Sequence, residues 1–213
     1  MSCRRALCLH LALCIVQYGV AAHGQQLIDR VLARVGTNAV TVTDVRTAIE
    51  LGLVEVKPGD DPQAVALERT IDRQLVLNEV ARFAPPEPSA ADVAAEVAAM
   101  KSRAGSRLAA LVTSAGLDDA KFQQLARETL RIRAYIAQRF GTSVQVTEDE
   151  ARRYYEEHPA EFTRDGVLMP FEEVEALARQ RGSAERLGMT INQWVKDLRT
   201  RAEVVIVGGT GKR

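Results

Sequence analysis

The chain has 213 residues, and its 28 Lys and Arg balance 28 Asp and Glu to a formal net charge of zero. Hydrophobic residues make up 46% and charged residues 26%, proportions that exclude a disordered tail, a low-complexity fibre and a polytopic membrane protein. The charge balance removes the basic excess that marks most nucleic-acid binders, while plentiful Ala, Leu, Arg and Glu beside 5% aromatics point to a helix-rich protein.

Residues 1–24 read as a secretory signal peptide. Arg4 and Arg5 form a positive start, Ala6 to Val16 is apolar apart from His10, and Val20-Ala21-Ala22 or Ala22-His23-Gly24 offers the small residues of a cleavage site. An uncleaved anchor is the competing reading, but the apolar core is short and flanked by Gln17. Cys3 before the arginine pair and Leu7-Cys8 after it argue against a twin-arginine signal, and the large Leu13 before Cys14 argues against a lipoprotein box. Cleavage removes two Arg and no acid, leaving 26 basic and 28 acidic groups, a net of −2. Cys3, Cys8, Cys14, His10 and His23 leave with it, so the exported chain is expected to hold no disulfide, no thiolate metal site and one histidine, His158.

Leu27 to Val35 reads as a strand, with Val31, Ala33 and Val35 alternating against Arg30 and Arg34. Gly36-Thr37-Asn38 has turn chemistry and Val40-Thr41-Val42 alternates again, predicting a short hairpin. Thr43 is placed as the N-cap of a helix carrying Val45, Ala48, Ile49 and Leu51. Lys57 to Pro62 is a loop. Gln63 to Phe83 is a long helix with two apolar rows, Leu67, Ile71 and Leu75, then Val76, Val80 and Phe83, so a broad face is expected to be buried. Pro85-Pro86-Glu87-Pro88 stops it.

Ser89 with Asp92 resembles a capping box for an Ala-rich helix to about Arg103; Gly105 interrupts, Leu108 to Ser114 continues and Gly116 closes. Asp118 to Phe140 is the next long helix, with Phe122, Leu125, Ala126, Thr129, Ile132, Ile136, Ala137 and Phe140 on one face. Arg133 falls inside that face and is expected to snorkel or to pair with a carboxylate, with a peptide or partner contact as the alternative. Thr147 with Glu150 caps a short helix carrying Tyr154 and Tyr155, and Pro159 ends it. A polar stretch follows Phe162. Pro170 to Arg186 reads as one helix and Thr190 with Gln193 as the cap of another, whose Ile191, Trp194, Val195 and Leu198 form a single stripe. Glu203 to Val207 is a final apolar strand.

A strand at each end has a consequence. A lone strand leaves its backbone groups unpaired and a two-stranded hairpin is marginal, so Val204 to Val207 is expected to return to the N-terminal hairpin. The expected fold is mainly α: one helical domain over residues 25–213 with a small sheet, the segment 170–207 packing back on the rest.

The sequence holds few constellations of catalytic type. His158 at a helix end is expected to cap rather than to ligate or act as a base. No nucleophile elbow, zinc spacing, Walker loop, EF-hand or dinucleotide fingerprint is present. The pairs Glu156/Glu157 and Glu172/Glu173 and the run Glu148-Asp149-Glu150 sit where solvated helix surfaces or first turns attract acids. Of the cluster Arg127, Arg131, Arg133 and Arg139, most lies opposite the apolar row. No catalytic residue, cofactor or metal ligand is assigned, and every apolar residue has the core as its default explanation.

The order of parts resembles the SurA family of periplasmic chaperones. Ile28 to Gly36 followed by Ala39 to Val45 is similar to that family's opening strand, turn, strand and helix. Leu67 to Asn78 and Phe122 to Leu125 with Leu130-Arg131-Ile132 resemble its long helices, and Thr147 to Phe162 resembles the segment leading into its parvulin-type prolyl isomerase domain. Eight residues separate Phe162 from Phe171 where that domain would stand. Pro170 to Val174 and Ile191 to Arg199 then resemble the family's C-terminal helices. The resemblance implies an ATP-independent periplasmic holdase that shields unfolded envelope proteins, typically outer-membrane barrels, with no isomerase. Two other readings stand beside it: a helical adaptor docked on one dedicated envelope partner, and a prolyl isomerase, disfavoured because its domain is missing.

Overall fold

A computed structural model describes residues 29–57, 59, 61–141 and 145–207. The signal-peptide reading of residues 1–24, and Leu27 and Ile28 of the first expected strand, lie outside the described residues.

Strands β1 (Val31–Val35) and β2 (Asn38–Thr41) form an antiparallel hairpin turned at Gly36, whose φ of 59° favours glycine. Ala33 and Val35 are fully buried and Arg34 is exposed, the expected alternation. Strand β5 (Val204–Ile206) returns to pair antiparallel with β1, Arg34 opposite Val205, giving the sheet order β2-β1-β5. The first and last strands of the described residues thus share one sheet, and the fold is mainly α with this small antiparallel sheet.

Helix α1 (Val42–Glu50) starts two residues before the expected position. Its N-cap is Thr41, not Thr43: Thr41 Oγ1 accepts from the Asp44 N–H at 3.2 Å and the Asp44 carboxylate accepts from the Thr41 N–H at 3.0 Å. Thr43 instead donates its backbone N–H to the Asp29 carboxylate. After α1, Gly52 adopts φ +63°, and a Cβ there would stand 2.8 Å from Arg103 Cδ. The glycine lets the Arg103 guanidinium donate to Leu51 O at 2.8 Å.

Helix α2 (Pro62–Phe83) carries Pro at its first position and Asp61 as N-cap, accepting from the N–H groups of Gln63 and Ala64. Ile71, Leu75, Val76 and Val80 are buried as expected, and Leu67 is half-buried. Phe83 is not: it is 59% exposed, because it is the last helical residue and its ring lies against the rim of the core, 5.8 Å from the Tyr135 ring.

Helix α3 (Ala90–Ala104), a 3₁₀ turn at Gly105–Arg107 and α4 (Leu108–Ala115) follow, then α5 (Asp119–Phe140), capped by Asp118. Along α5, Phe122, Ala126, Thr129 and Phe140 are buried. Ala137 is exposed and Tyr135 is buried in its stead, since Trp194 and Phe83 close over the tyrosine side of the helix. Arg133 pairs with Glu96 of α3 at 2.6 Å, the carboxylate partner expected for it.

Helix α6 (Glu148–Glu157) has the expected capping box of Thr147 and Glu150. A 3₁₀ turn at Pro159–Phe162 leads into a minimal hairpin, β3 (Thr163–Arg164) and β4 (Val167–Leu168), within the polar stretch after Phe162. Its turn is Asp165-Gly166, with φ of 54° and 78°, the positive pair a type I′ turn requires. Helix α7 (Phe171–Arg201) is one element of 31 residues, so the expected break between Arg186 and Thr190 does not exist. Thr190 Oγ1 donates to Arg186 O one turn back and serves as an ordinary helical residue, not a cap.

Three apolar clusters result. The first joins the sheet to α2, the end of α5 and the Trp194-Leu198 part of α7. The second joins Leu51 to α3, α4 and the start of α5. The third gathers Val146, Ala151, Phe162, Phe171 and Ala178, with Tyr154, Tyr155 and Val174 around them.

Candidate client-binding surface

An edge strand is the first feature that packing leaves unfinished. The Gly36 N–H donates to Glu203 O at 2.9 Å and the Val207 N–H donates to Leu32 O at 2.8 Å. In an antiparallel ladder the bonding residues alternate, so the backbone groups of Val204 and Ile206 point away from β1. No strand of the described residues lies beyond them.

That edge is apolar. Val205, Ile206 and Val207 are 47%, 49% and 44% exposed, and Glu203 is the one charge between 203 and 207. Exposed edges in soluble proteins normally carry lysine, proline or a bulge that discourages pairing; β5 carries none of these. Val204 packs against the first cluster, and the alternation of a strand sets Val205 and Val207 on the opposite face.

Beside the edge runs an open groove of about 760 Å³ between the start of α2 and the end of α7, lined by Val65, Leu67, Val195 and Ile206. Its wall is fixed by Arg199, which donates to Asp72 at 2.6 Å and to the Glu68 carboxylate at 2.7 Å and the Glu68 carbonyl at 2.9 Å. Charge-assisted bonds of this number hold α7 to α2 at a fixed spacing. Further exposed apolar side chains, Val167 and Leu168 on the β3–β4 hairpin and Met189 on α7, stand elsewhere.

Several of the residues weighed for chemistry have structural partners. His158 closes α6: its backbone N–H donates to Tyr154 O at 3.0 Å, its Nδ1 lies 3.0 Å from the same oxygen, and its ring stacks on Tyr154 at 4.1 Å. Glu150 is hydrogen-bonded by Arg186 and by the Thr147 N–H, which lower its carboxyl to about 2. Glu148 and Glu172 flank Arg152 at 3.7 and 4.0 Å. Arg127 donates to Gln123, and Arg139 lies over the rings of Phe140 and Trp194 at 5.4 and 5.6 Å. Burial opposes charge on Glu96, but hydrogen bonds from Arg133 and Arg103 outweigh it and hold the carboxyl below its ordinary value. Among the described residues no three His, Cys, Asp or Glu gather as metal ligands, and no helix is long and apolar enough to cross a membrane.

The sequence reading did not pick out the β5 edge. Its signal was present in the uncharged run Val204 to Val207, but an apolar run reads equally well as a buried strand. No protein-family model matches the chain, and no curated protein matches it either.

Proposed function

We propose that this protein is an ATP-independent holdase of the periplasm, akin to SurA-type chaperones but without their isomerase domain, that shields extended segments of unfolded envelope proteins, chiefly outer-membrane proteins. The observation that carries this reading is the free apolar edge of β5 beside the α2–α7 groove. An extended chain adding there would gain main-chain hydrogen bonds from Val204 and Ile206, which read no sequence, and loose apolar contact in the groove. Such contacts tolerate many clients and release without hydrolysis. The exposed valines support the same reading, since a soluble protein keeps such a patch where something binds it.

The test is light scattering of a denatured outer-membrane barrel protein diluted into buffer with and without the purified protein. Suppressed aggregation near stoichiometric amounts without ATP is the expected result. Failure to suppress at large molar excess would overturn it and move the assignment to an adaptor with one dedicated partner, which a pull-down from envelope extract would then identify.

A further inference from the structure

A second concavity, separate from the β5 edge, lies on the other side of the sheet order. It is a cleft of about 480 Å³ between β2 and α1 on one side and α2 and α5 on the other, within the size range of ligand sites. Strand β2 is the terminal strand opposite β5, so its second edge also lacks a strand partner among the described residues, and Asn38, Ala39 and Val40 help line the cleft.

The charges in this cleft are unevenly satisfied. Its acids are committed: Asp44 completes the α1 capping box and Glu128 accepts from Gln124 at 2.9 Å. Its arginines each face one carboxylate but make few hydrogen bonds. Arg73 of α2, with a side chain only 12% exposed, donates to Thr129 Oγ1 at 3.0 Å, while Glu128 stays 3.9 Å away. A guanidinium has five N–H donors, so most of its capacity is free. Burial pushes the Arg73 guanidinium below its ordinary value, Glu128 opposes this, and the nearby like charge of Arg133 adds to it. Arg131 of α5 lines the same cleft. Its Nε is buried with no hydrogen-bond acceptor, and Glu87 Oε1, 3.5 Å away, supplies attraction without a hydrogen bond. That Nε has no surface for a ligand to reach, so what Arg131 offers an arriving anion is the terminal N–H groups of its 27%-exposed side chain.

We propose that this cleft binds a carboxylate carried on an extended polypeptide, seated on Arg73 and Arg131 between α2 and α5 with the β2 edge alongside. Planar guanidinium forks match a carboxylate bidentately, and Ala39, the β2 residue whose N–H and C=O face away from β1, offers main-chain bonds to the segment that carries it. The carboxylate is either an Asp or Glu side chain or the chain's own C-terminus, the same chemistry from two sources. The polypeptide nature of the ligand rests on the holdase reading; the carboxylate preference rests on the cleft alone.

The test is isothermal titration of the purified protein with matched uncharged apolar peptides. One pair compares a free C-terminus with its amide, and a second, amidated, pair compares an internal Glu with Gln. At least one carboxylate peptide is expected to bind about tenfold tighter than its neutral twin, the scale of a charge-assisted hydrogen bond, and the pair that shows it names the source. Arg131→Gln, at a partly exposed position, should abolish the preference with far-UV circular dichroism unchanged, and Arg73→Lys should shrink it by keeping the charge and losing the fork. Equal binding of both twins in both pairs, or a preference that survives Arg131→Gln, overturns the site. Aggregation suppression with no carboxylate preference would sink this site and leave the holdase; a carboxylate preference without suppression would support the site and sink the holdase.

Discussion

Replacing Val205 and Val207 together with lysine tests the β5 edge directly. Both side chains lie on the face opposite Val204 and are 47% and 44% exposed, so the core loses little, and surface changes of this kind normally move stability by less than about 0.5 kcal/mol. Full burial of a valine side chain is worth about 1.5–3 kcal/mol. The exposed halves of these two can therefore gain about 0.7–1.4 kcal/mol each when a client strand covers them. Losing about 2 kcal/mol lowers affinity roughly 30-fold, and edge lysines oppose strand addition further. The assay is fluorescence anisotropy of a labelled segment of unfolded client, with aggregation suppression read in parallel. Val167→Lys on the β3–β4 hairpin, exposed but away from this edge, serves as the control and should change neither. A double-lysine variant that is folded and retains its client affinity would refute the edge as the docking line.

Trp194→Ala should cost about 3–5 kcal/mol in urea unfolding, since the ring is 7% exposed and meets Tyr135 and Phe140 at 5.7 and 5.4 Å; a loss under about 1 kcal/mol would mean the first cluster is not the principal core. Thr41→Ala should lower stability by about 1 kcal/mol through loss of the α1 cap, whereas Thr43→Ala should not show a capping loss; the reverse order would restore Thr43 as the cap. Glu150 is held at about 2, below its ordinary 4.5, chiefly by the hydrogen bond from Arg186 and then by the Thr147 N–H. A depressed carboxyl stabilises the fold fully above its unfolded value and loses that contribution as pH falls toward the folded one. Melting temperature of the wild type should thus drop between pH 4.5 and about 2 by more than that of Glu150→Gln; parallel curves would show that the Arg186–Glu150 pair does not stabilise the fold.

What was legible in the sequence was whatever local pattern decides. Ile191, Trp194, Val195 and Leu198 follow one helical stripe, and they do pack on the first cluster. The return of Val204 to Ile206 to β1 followed from the need of a terminal strand for a partner. The failures share a cause: a residue type that serves two roles. Thr190 with Gln193 has the composition of a cap, but a threonine hydroxyl inside a helix is satisfied equally by the carbonyl four residues back, and Arg186 O takes it. Thr41 and Thr43 both precede Asp44; only the former stands three residues before it, the spacing a capping box needs. Phe83 fits an apolar row, yet a row says nothing about where the covering layer stops. The candidate surfaces were the least legible. An apolar run such as Val204 to Val207 and a charge such as Arg73 differ from core and from surface only by what other segments place beside them, and those neighbours come from residues far away in the chain.

The β3–β4 hairpin bears on how the proposed kinship with an isomerase-bearing family can hold for a chain with eight residues between Phe162 and Phe171. A domain is inserted or removed without disturbing its host where the two host ends lie close together at the surface. The hairpin meets that condition: Thr163 stands opposite Leu168 and Arg164 opposite Val167, and paired positions of this kind are about 4.5–5.5 Å apart. Its base is fixed by groups outside the hairpin turn. The Met169 N–H donates to Phe162 O at 3.0 Å and the Tyr155 hydroxyl donates to Met169 O at 2.7 Å, while Phe162 and Phe171 are buried in the third cluster. The packing of α6 on α7 therefore depends on residues on either side of the turn and not on Asp165-Gly166 itself. Because α7 runs unbroken from Phe171 in that cluster to Trp194 and Leu198 in the first, and β5 begins at Val204 only three residues after α7 ends at Arg201, a two-residue turn suffices to keep the C-terminal half in place and to return β5 to the sheet.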